Sequence, residues 1–480
     1  MNAPRDPMAA PRRRASDQRG ALPDAGVSRT PHDTLDLDDI RACMEGTIPG
    51  VMATCDGDGM PNVTYVSQVE YVDARQLALS FQFFNKTRRN VLANPHTELL
   101  VVHPRHGAMY RIAARYLRTE SDGAVFERMR AKLAGIASHS GMAGVFHLRG
   151  ADRYAVERVE QVLAPQHAGT LDVPNRLSML RRAALRVAAA GDFDALVEQL
   201  LDAVVQEFGI AHALLLMLDA GGERLYTVAS RGYAHSGAGA EIPLGDGVIG
   251  VAARLATPIR INHATTEYSY VRTMREGVAG HLLGREIPLP GLAAPGSQLA
   301  LPLGCGGRLL GVLYVESPQD LRFDWDDEDA LLTLATQAAL QLQALAAADA
   351  ECAEAEPAVA PATSPAAPPP SMQPLRVRHY AVDDSVFIDD DYLIKGVAGA
   401  VLWKLLGDHA ATGRCDFSNR ELRLAPQLRL PEVGDNLEAR LVLLTRRLVD
   451  RDAAVRIEKT GRGRFRLCLT RPLQLSHVPR

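Results

Sequence analysis

Long hydrophobic runs are missing from this sequence of 480 residues, although 47% of the residues are apolar. No segment approaches the roughly 20 uninterrupted apolar residues that a transmembrane helix needs. Arg12, Arg13 and Arg14 near the N-terminus are followed by no apolar stretch, so no secretory signal is predicted either. We therefore expect a soluble protein with no membrane partner.

Paired cysteines and a strong net charge are also lacking. The six cysteines are scattered and form no Cys-x-x-Cys pair, so the sequence indicates neither a disulfide framework nor a zinc site and is typical of the reducing cytoplasm. The formal net charge of -4 predicts no general attraction to nucleic acid or to anionic membranes. Any site for a polyanion must therefore be a local cluster of cations.

Composition divides the chain into three modules, since a chain of this length exceeds what one hydrophobic core usually serves. Residues 1–34 lack apolar periodicity and are expected to form a disordered tail. Residues 347–373 contain Ser-Pro-Ala-Ala-Pro-Pro-Pro, which is typical of an extended linker. The sequence therefore predicts an α+β multidomain protein with modules at 35–164, 174–346 and 374–480.

The first module contains short β-rich runs at the spacing of a small barrel, preceded by a predicted amphipathic helix near Leu35. The turn from Asp56 to Gly59 joins the first two strands as a hairpin. A later strand leads into a basic turn at the start of a short helix, and this turn carries Lys86, Thr87, Arg88 and Arg89. The turn suits a phosphate group, because helix amides and cationic side chains converge there.

These features resemble the FMN-binding split barrel of the pyridoxamine-phosphate-oxidase type. The resemblance implies a split β-barrel with FMN as cofactor, its phosphate held by residues 86–89 and its ring lying along Phe81, Gln82 and Phe83. The Arg-x-His substrate signature of the oxidases is absent from 146–162, which argues against oxidation of pyridoxamine phosphate itself. Related split barrels bind haem, but the histidines of this module show no metal-ligand spacing, so FMN is favoured over haem and no metal site is predicted.

The middle module begins with two amphipathic helices between Arg176 and Gly209, continues through five strand-like runs and ends in a long helix from Asp326 to about Leu345. This outline predicts an antiparallel sheet with helices on one face. Its most specific segments are Leu-Gly-Asp-Gly-Val-Ile-Gly at 244–250, Pro-Ile-Arg-Ile-Asn at 258–262 and Leu-Gly-Val-Leu-Tyr-Val-Glu-Ser at 310–317.

In this order, the three segments resemble a GAF domain, which implies an α/β/α sheet domain with a pocket for a small molecule. The ligand residues implied by the resemblance are Asp246, Val248, Ile249, Asn262 and Tyr270. Residues 264–296 form either a lid over that pocket or a mobile surface loop. Cys305 is either a small turn residue or a redox-sensitive thiol. Flanking helices commonly pair between subunits in this family, so a homodimer is expected.

The last module is predicted to contain a β-hairpin from Tyr380 to Ile394, three helices and a terminal two-stranded unit, with Ser418 as N-cap of the second helix. These elements resemble the winged-helix effector domain of transcriptional response regulators. The resemblance implies DNA as partner, contacted from the third helix and the wing by Arg440, Arg446, Arg447, Lys459, Arg462 and Arg464. The alternatives are a solvated basic face and a module that contacts proteins.

Taken together, the modules predict a cytoplasmic sensory protein in which a flavin-type barrel and a GAF module regulate transcription through a DNA-binding winged helix. No receiver domain with a phosphoacceptor aspartate is visible. The alternative is a flavin-dependent oxidoreductase with regulatory domains. Whether the chain is an enzyme stays open, since no general acid, general base or nucleophile with an oriented partner is evident. A third hypothesis makes all three folds unliganded interaction modules.

Overall fold

The computed structural model describes the chain in nine segments, which are residues 35–46, 48–66, 68–81, 85–139, 147–165, 174–262, 287–355, 373–428 and 437–479. Their helices and strands form three β-containing modules in chain order. The tail predicted at 1–34 and most of the linker predicted at 347–373 lie outside the described residues.

The first module is a seven-stranded sheet with two helices. Its strands are β1 (Gly50–Cys55), β2 (Pro61–Val66), β3 (Val69–Asp73), β4 (Gln76–Phe81), β5 (His96–Val102), β6 (Met109–Glu120) and β7 (Gly150–Leu163), and its helices are α1 (Asn85–Ala93) and α2 (Gly123–His139). The strand order is β2-β1-β5-β6-β7-β4-β3, with all neighbours antiparallel. Side chains from all seven strands enter one hydrophobic cluster, so the sheet wraps around a core.

Two predictions for this module need correction. The helix expected near Leu35 is only a 3-10 helix at Arg41–Met44. The Asp36 side chain accepts bonds from the backbone amides of Asp38 and Asp39 just before it, and such local bonds compete with helix formation. The sequence also predicts a single strand from Asn62 to Val69, but the structure ends β2 at Val66 and begins β3 at Val69. The hairpin between β1 and β2 is confirmed.

The middle module is a six-stranded antiparallel sheet between helices. Its elements are α3 (Arg176–Ala188), α4 (Phe193–Phe208), β8 (His212–Leu218), β9 (Arg224–Arg231), β10 (Glu241–Pro243), α5 (Gly247–Leu255), β11 (Ile259–Ile261), β12 (Ser297–Cys305), β13 (Arg308–Ser317) and α6 (Trp325–Ala355). The strand order is β10-β9-β8-β13-β12-β11. One face of the sheet packs against α3, α4 and α6, and the other against α5. The predicted α/β/α arrangement is thus present.

The last helix of this module is longer than predicted. α6 continues to Ala355, well into the segment that the sequence assigns to the linker. The residues there are mostly Ala and Glu, which are good helix formers. By length and composition alone, α6 could cross a membrane over Trp325–Ala348, but Leu331, Leu334 and Ala338 are fully enclosed against the sheet. This burial is the pattern of a core helix.

The last module contains two small sheets around three helices. Its elements are β14 (Leu375–Tyr380), β15 (Ser385–Ile388), β16 (Asp391–Ile394), α7 (Gly396–Thr412), β17 (Asp416–Ser418), α8 (Asn419–Leu424), α9 (Leu437–Asp450), β18 (Val455–Gly461), β19 (Arg464–Leu469) and β20 (Leu473–Val478). The sheets have the orders β16-β15-β14-β20 and β17-β19-β18. Ser418 and Glu421 form a reciprocal capping box at α8, which confirms the predicted N-cap.

The hairpin predicted from Tyr380 to Ile394 is part of a larger sheet. An additional strand, β14, begins at Leu375, and its side chains alternate between buried and exposed as in a half-buried strand. The terminal strand β20 pairs parallel with β14, a pairing that the sequence does not predict. The two-stranded unit of β18 and β19 is confirmed.

The modules pack against one another through helices. α2 of the first module lies on α5 and β11 of the middle module, and Ala131 of α2 belongs to the same hydrophobic cluster as the α5 side chains. A second cluster runs without interruption from α3, α4 and α6 into α7 and α9 of the last module. Each module therefore shares buried apolar surface with its neighbour.

Gly135 makes the close approach of α2 possible. A β-carbon at this position would lie 2.4 Å from Cγ2 of Ile259 on β11. Gly407 in α7 is a matched helical glycine, because a β-carbon there would meet no atom within 4 Å. The two glycines share the same helix-propensity gain on substitution by alanine but differ in the space around them.

We expect Gly407→Ala to raise the free energy of unfolding by roughly 0.5–1 kcal/mol through helix propensity. Gly135→Ala should instead lower it by about 1–3 kcal/mol, because the added methyl group overlaps Ile259. Urea unfolding of both variants, followed by circular dichroism, measures the two effects. Equal stabilisation by the two substitutions would contradict the packing of α2 on β11.

Candidate functional site

The basic turn at the start of α1 holds two kinds of cation. Arg88 is engaged inside the module, donating to Oδ1 of Asp152 at 2.7 Å and to Oγ1 of Thr119 at 2.8 Å. Thr87 is buried and its hydroxyl accepts a bond from Asn62 Nδ2 at 2.9 Å. Lys86 and Arg89 are exposed. The exposed pair is therefore the part of the turn that can meet an anion from solvent.

The space directly beneath this turn is small. A cavity of about 10 Å³ is lined by Ser80, Thr87, Arg88, Asp152 and Tyr154 together with apolar side chains, and it has room for no more than a water molecule. An organic group must therefore bind outside it. Of the predicted ring contacts, Phe81 ends β4, whereas Gln82 and Phe83 lie outside the described residues.

Charge at the turn fits a phosphate monoester. Lys86, Arg88 and Arg89 contribute three positive charges, and Asp152 offsets one of them. The surplus of cations at the first turn of a helix favours a dianion. The donor set is thus suited to the phosphate of FMN.

Histidines of this module do not assemble into a metal site within the described residues. His103 and His106 stack on each other, with ring centroids 3.5 Å apart. Burial, followed by the neighbouring charges of His106 and Arg105, lowers the pKa of His103 to about 4. Its ring is therefore neutral at physiological pH and serves the packing of the β5–β6 turn.

The residues predicted to bind a GAF ligand occupy different environments. Asp246 is the residue before α5, in extended conformation, and its side chain makes no capping bond. Val248 and Ile249 are buried in the cluster between α5 and the sheet, so they are core residues in this structure. Asn262 follows β11 and is buried, whereas Tyr270 lies outside the described residues.

A row of polar residues crosses the α5 face of the GAF sheet at one end. Gln298 on β12 pairs with Glu316 on β13, and Glu316 pairs with His212 on β8, so the three side chains lie side by side. The Glu316 carboxylate accepts bonds from the Tyr233 hydroxyl at 2.9 Å, the Tyr314 hydroxyl at 2.9 Å and the backbone amide of Leu292 at 2.7 Å. Burial, and then the Glu316 charge, raise the pKa of Tyr233.

Sequence reasoning missed this polar row. Tyr314 and Glu316 belong to the motif at 310–317, but the motif alone does not mark them as site residues, and Gln298 is predicted only as the start of a strand. The available signal is polar residues at alternate positions of strands that are otherwise apolar, since alternate residues share a face. That signal does not identify which face carries the pocket.

The contact between the first and middle modules centres on Arg260. Its guanidinium is only 9% exposed and lies 3.0 Å from Oε2 of Glu45 and 2.8 Å from Oε2 of Glu328. Burial raises the pKa of Glu45 above its usual value. Burial also acts on Glu328, but the opposing charge of Arg260 prevails and lowers its pKa. One buried cation from the GAF module thus holds carboxylates of both modules.

Two predicted DNA-binding cations form ion pairs with the middle module. Arg446 of α9 lies 3.0 Å from Oδ1 of Asp194 and 2.7 Å from Oε1 of Glu198, and Lys459 of β18 lies 2.5 Å from Oδ2 of Asp192. The three acids stand at the N-cap and on the first turns of α4, and we call them the α4 carboxylate patch. In this structure both cations are held in ion pairs with the α4 carboxylate patch.

The other predicted DNA contacts fall into two groups. Arg440 is buried with its guanidinium 3.8 Å from the ring centroid of Tyr226 in the GAF sheet. Arg447 is buried inside its own module, where Nε donates to the Leu393 carbonyl at 2.9 Å and burial lowers its pKa. Arg462 is exposed, and Arg464 borders a cavity between the modules.

This cavity has a volume of about 290 Å³ and lies where α4 meets the last module. Its apolar lining comes from Phe193, Leu441 and Phe465 among others, and its charged lining includes the α4 carboxylate patch with Arg446 and Lys459. Cavities at module interfaces are common sites for small molecules. The contact between the modules is therefore incompletely packed.

Two segments of the chain match known families. Residues 37–162 match the family described as pyridoxamine 5'-phosphate oxidase, and residues 190–343 match the GAF domain. No curated protein matches the chain.

Several solved structures are similar to parts of the chain. The GAF domain of an Acinetobacter phosphoenolpyruvate-protein phosphotransferase is 20% identical over 36% of this chain and 97% of that chain, with a TM-score of 0.29. The free methionine-R-sulfoxide reductase of Neisseria meningitidis is 20% identical over 38% and 99%, with a TM-score of 0.30. An FMN-binding protein of Syntrophomonas wolfei subsp. wolfei is 13% identical over 26% and 82%, with a TM-score of 0.22. The chain therefore carries a pyridoxamine 5'-phosphate oxidase-like domain followed by a GAF domain.

Proposed function

We propose that the chain is a cytoplasmic sensory regulator in which the state of the GAF module controls DNA binding by a C-terminal winged-helix module. The observation that carries the proposal is the double role of two cations. Arg446 and Lys459 have the positions predicted for DNA contacts, and both are held by the α4 carboxylate patch. Three helices followed by the β18–β19 hairpin support the winged-helix assignment.

Carboxylates and DNA phosphates are alternative anionic acceptors for the same side chains, so the GAF contact and a DNA contact exclude each other at Arg446 and Lys459. The carboxylates of the patch are partly exposed, and such ion pairs contribute under about 1 kcal/mol each. The apolar surface shared with the last module therefore supplies most of the docking energy, and a ligand shifts the balance by its difference in affinity between docked and released states.

Asp194→Ala with Glu198→Ala should raise the affinity of the full chain for duplex DNA about tenfold, since the loss of about 1.4 kcal/mol of docking energy favours release. Fluorescence anisotropy with a labelled duplex at low salt measures this change. Asp202→Ala is the matched control, because Asp202 is an acid of the same helix that pairs with Arg231 inside the GAF module rather than with the last module.

The double substitution Arg462→Ala with Arg464→Ala tests the same proposal at two predicted DNA contacts of the wing. It should weaken DNA binding and reduce the slope of log affinity against log salt by about one for each phosphate interaction removed. If the Asp194→Ala, Glu198→Ala variant binds no DNA at low salt, the DNA-binding role is refuted. The docking contact between the modules would not be affected by that result.

We further propose that the first module binds FMN through Lys86 and Arg89. The support is the phosphate-compatible charge of the turn and the position of these two exposed cations at the start of α1. Bound FMN would supply redox chemistry to the module. The protein side chains would contribute phosphate binding, and Arg88 would position the turn through Asp152 rather than meet the ligand first.

Lys86→Ala with Arg89→Ala should lower FMN affinity at least about tenfold, because charge-assisted bonds to the phosphate are removed. Quenching of flavin fluorescence measures the affinity. Riboflavin lacks the phosphate, so its affinity should be the same in the variant and the parent protein. Arg115→Ala removes an exposed cation elsewhere on the sheet and is the matched control. Equal FMN affinity in all three proteins would exclude the turn as the phosphate site.

A homodimer formed through the first module is the third part of the proposal. β2 is an edge strand that exposes Val63 and Tyr65, and Leu92 is exposed on α1, the helix that packs against β2. Exposed edge strands with apolar side chains are unstable alone in water and favour pairing.

Sedimentation equilibrium should give twice the chain mass for the parent protein, and Tyr65→Glu should shift it toward the monomer because a charge would be buried in the interface. Val382→Glu places the same charge on an exposed apolar residue of the last module and should leave the mass unchanged. A monomeric parent protein at micromolar concentration would contradict the dimer.

A further inference from the structure

Glu316 is a buried carboxylate with no counter-ion among the residues that the structure describes. It is 2% exposed and lies in the polar row on the α5 face of the GAF sheet. Among the described residues, the Glu316 carboxylate accepts hydrogen bonds from hydroxyl and amide groups and forms no ion pair with Lys, Arg or His. Glutamate is almost never fully buried unless it is paired, since an isolated buried charge is costly.

The residues around Glu316 orient it without neutralising it. The hydroxyls of Tyr233 and Tyr314 and the amide of Leu292 all donate to its carboxylate. Because the single hydroxyl proton of Tyr314 goes to Glu316, Gln298 presents its amide nitrogen to the Tyr314 oxygen, at 2.7 Å. The carbonyl oxygen of Gln298 makes no hydrogen bond within this group of residues.

An unused acceptor lies in the same polar row. Oε1 of Gln298, a residue 7% exposed, is buried without a hydrogen-bond partner among the described residues. Gln298 pairs with Glu316 across the strands, so the two side chains share the α5 face of the sheet. Buried acceptors without partners are uncommon and require a donor.

We propose that this end of the GAF sheet binds a small organic cation through an N–H-rich head group, an ammonium or a guanidinium, with Glu316 as its counter-ion and Gln298 as an acceptor. This ligand class deepens the proposed sensory function, and the proposal rests on that function only for its regulatory meaning. A cation satisfies a buried carboxylate and an orphan carbonyl oxygen together, whereas a carboxylate or phosphate ligand would be repelled.

The test uses the full chain and simple probes. Methylammonium and n-butylammonium are protonated at neutral pH, and methanol and n-butanol are their neutral counterparts of similar size. Thermal unfolding is followed at pH 7 with each probe up to about 50 mM, with sodium chloride matching the ionic strength, since a ligand that binds the folded state raises the melting temperature. We expect an ammonium probe, and neither alcohol, to raise it.

Glu316→Gln keeps the shape and removes the charge. It should weaken ammonium binding at least about 30-fold, as expected for the loss of a buried charged partner. Glu223→Gln removes an exposed acid of the same module and should leave the affinity unchanged. Should Glu316→Gln fail to fold, Gln298→Met removes an acceptor while Glu316 stays, and it should also weaken binding.

Stabilisation by the alcohols equal to that by the ammonium probes would overturn the proposal, and so would the absence of any effect or undiminished binding in Glu316→Gln. The measurement involves no DNA. Failure of the ligand assignment is therefore separate from failure of the proposed DNA-binding function.

Discussion

The contact between the first two modules depends on the enclosure of Arg260 between Glu45 and Glu328. The buried guanidinium attaches the first module to the GAF sheet at a point where charges of either sign would be costly alone. Glu45 also accepts the backbone amide of Trp325 at 3.0 Å, so the same contact fixes the start of α6. Because α6 packs on α3 and on β12, the ion cluster connects the first module to the helical layer of the GAF sheet.

Two sides of the GAF module therefore have different characters. Toward the first module the charges are buried and mutually satisfied, and α2 lies against α5 over a glycine. Toward the last module the ion pairs are partly exposed, and a cavity of about 290 Å³ remains between the surfaces. A cavity of about 240 Å³ also borders Glu45, Arg260 and Glu328, so both contacts leave space, and they differ in how deeply their charges are buried.

Much of this organisation could be predicted from the sequence, because it rests on local signals. Alternating strands, the Ser418 cap and the basic turn at Lys86 are patterns within a few residues, and the two family segments are recognisable from motifs. Contacts across modules leave no such pattern. Arg446 looks like any helix arginine until Asp194 is placed opposite it, and Arg260 gives no sign of its partner Glu45, more than 200 positions away. The strand β20 was missed for the same reason, since its partner lies at the far end of the module.

The position of α2 has a consequence for where one folding unit ends and the next begins. Family matches place a boundary between residues 162 and 190, but Ala131 and Gly135 complete the helical layer over α5 and β11. A chain shortened to begin at the GAF segment would expose Ile259 and the outer side of α5 to water. The evolutionary unit recognised by sequence therefore differs from the cooperative unit defined by packing. Exchanging either domain for a homologue would require compensating changes on both sides of α2.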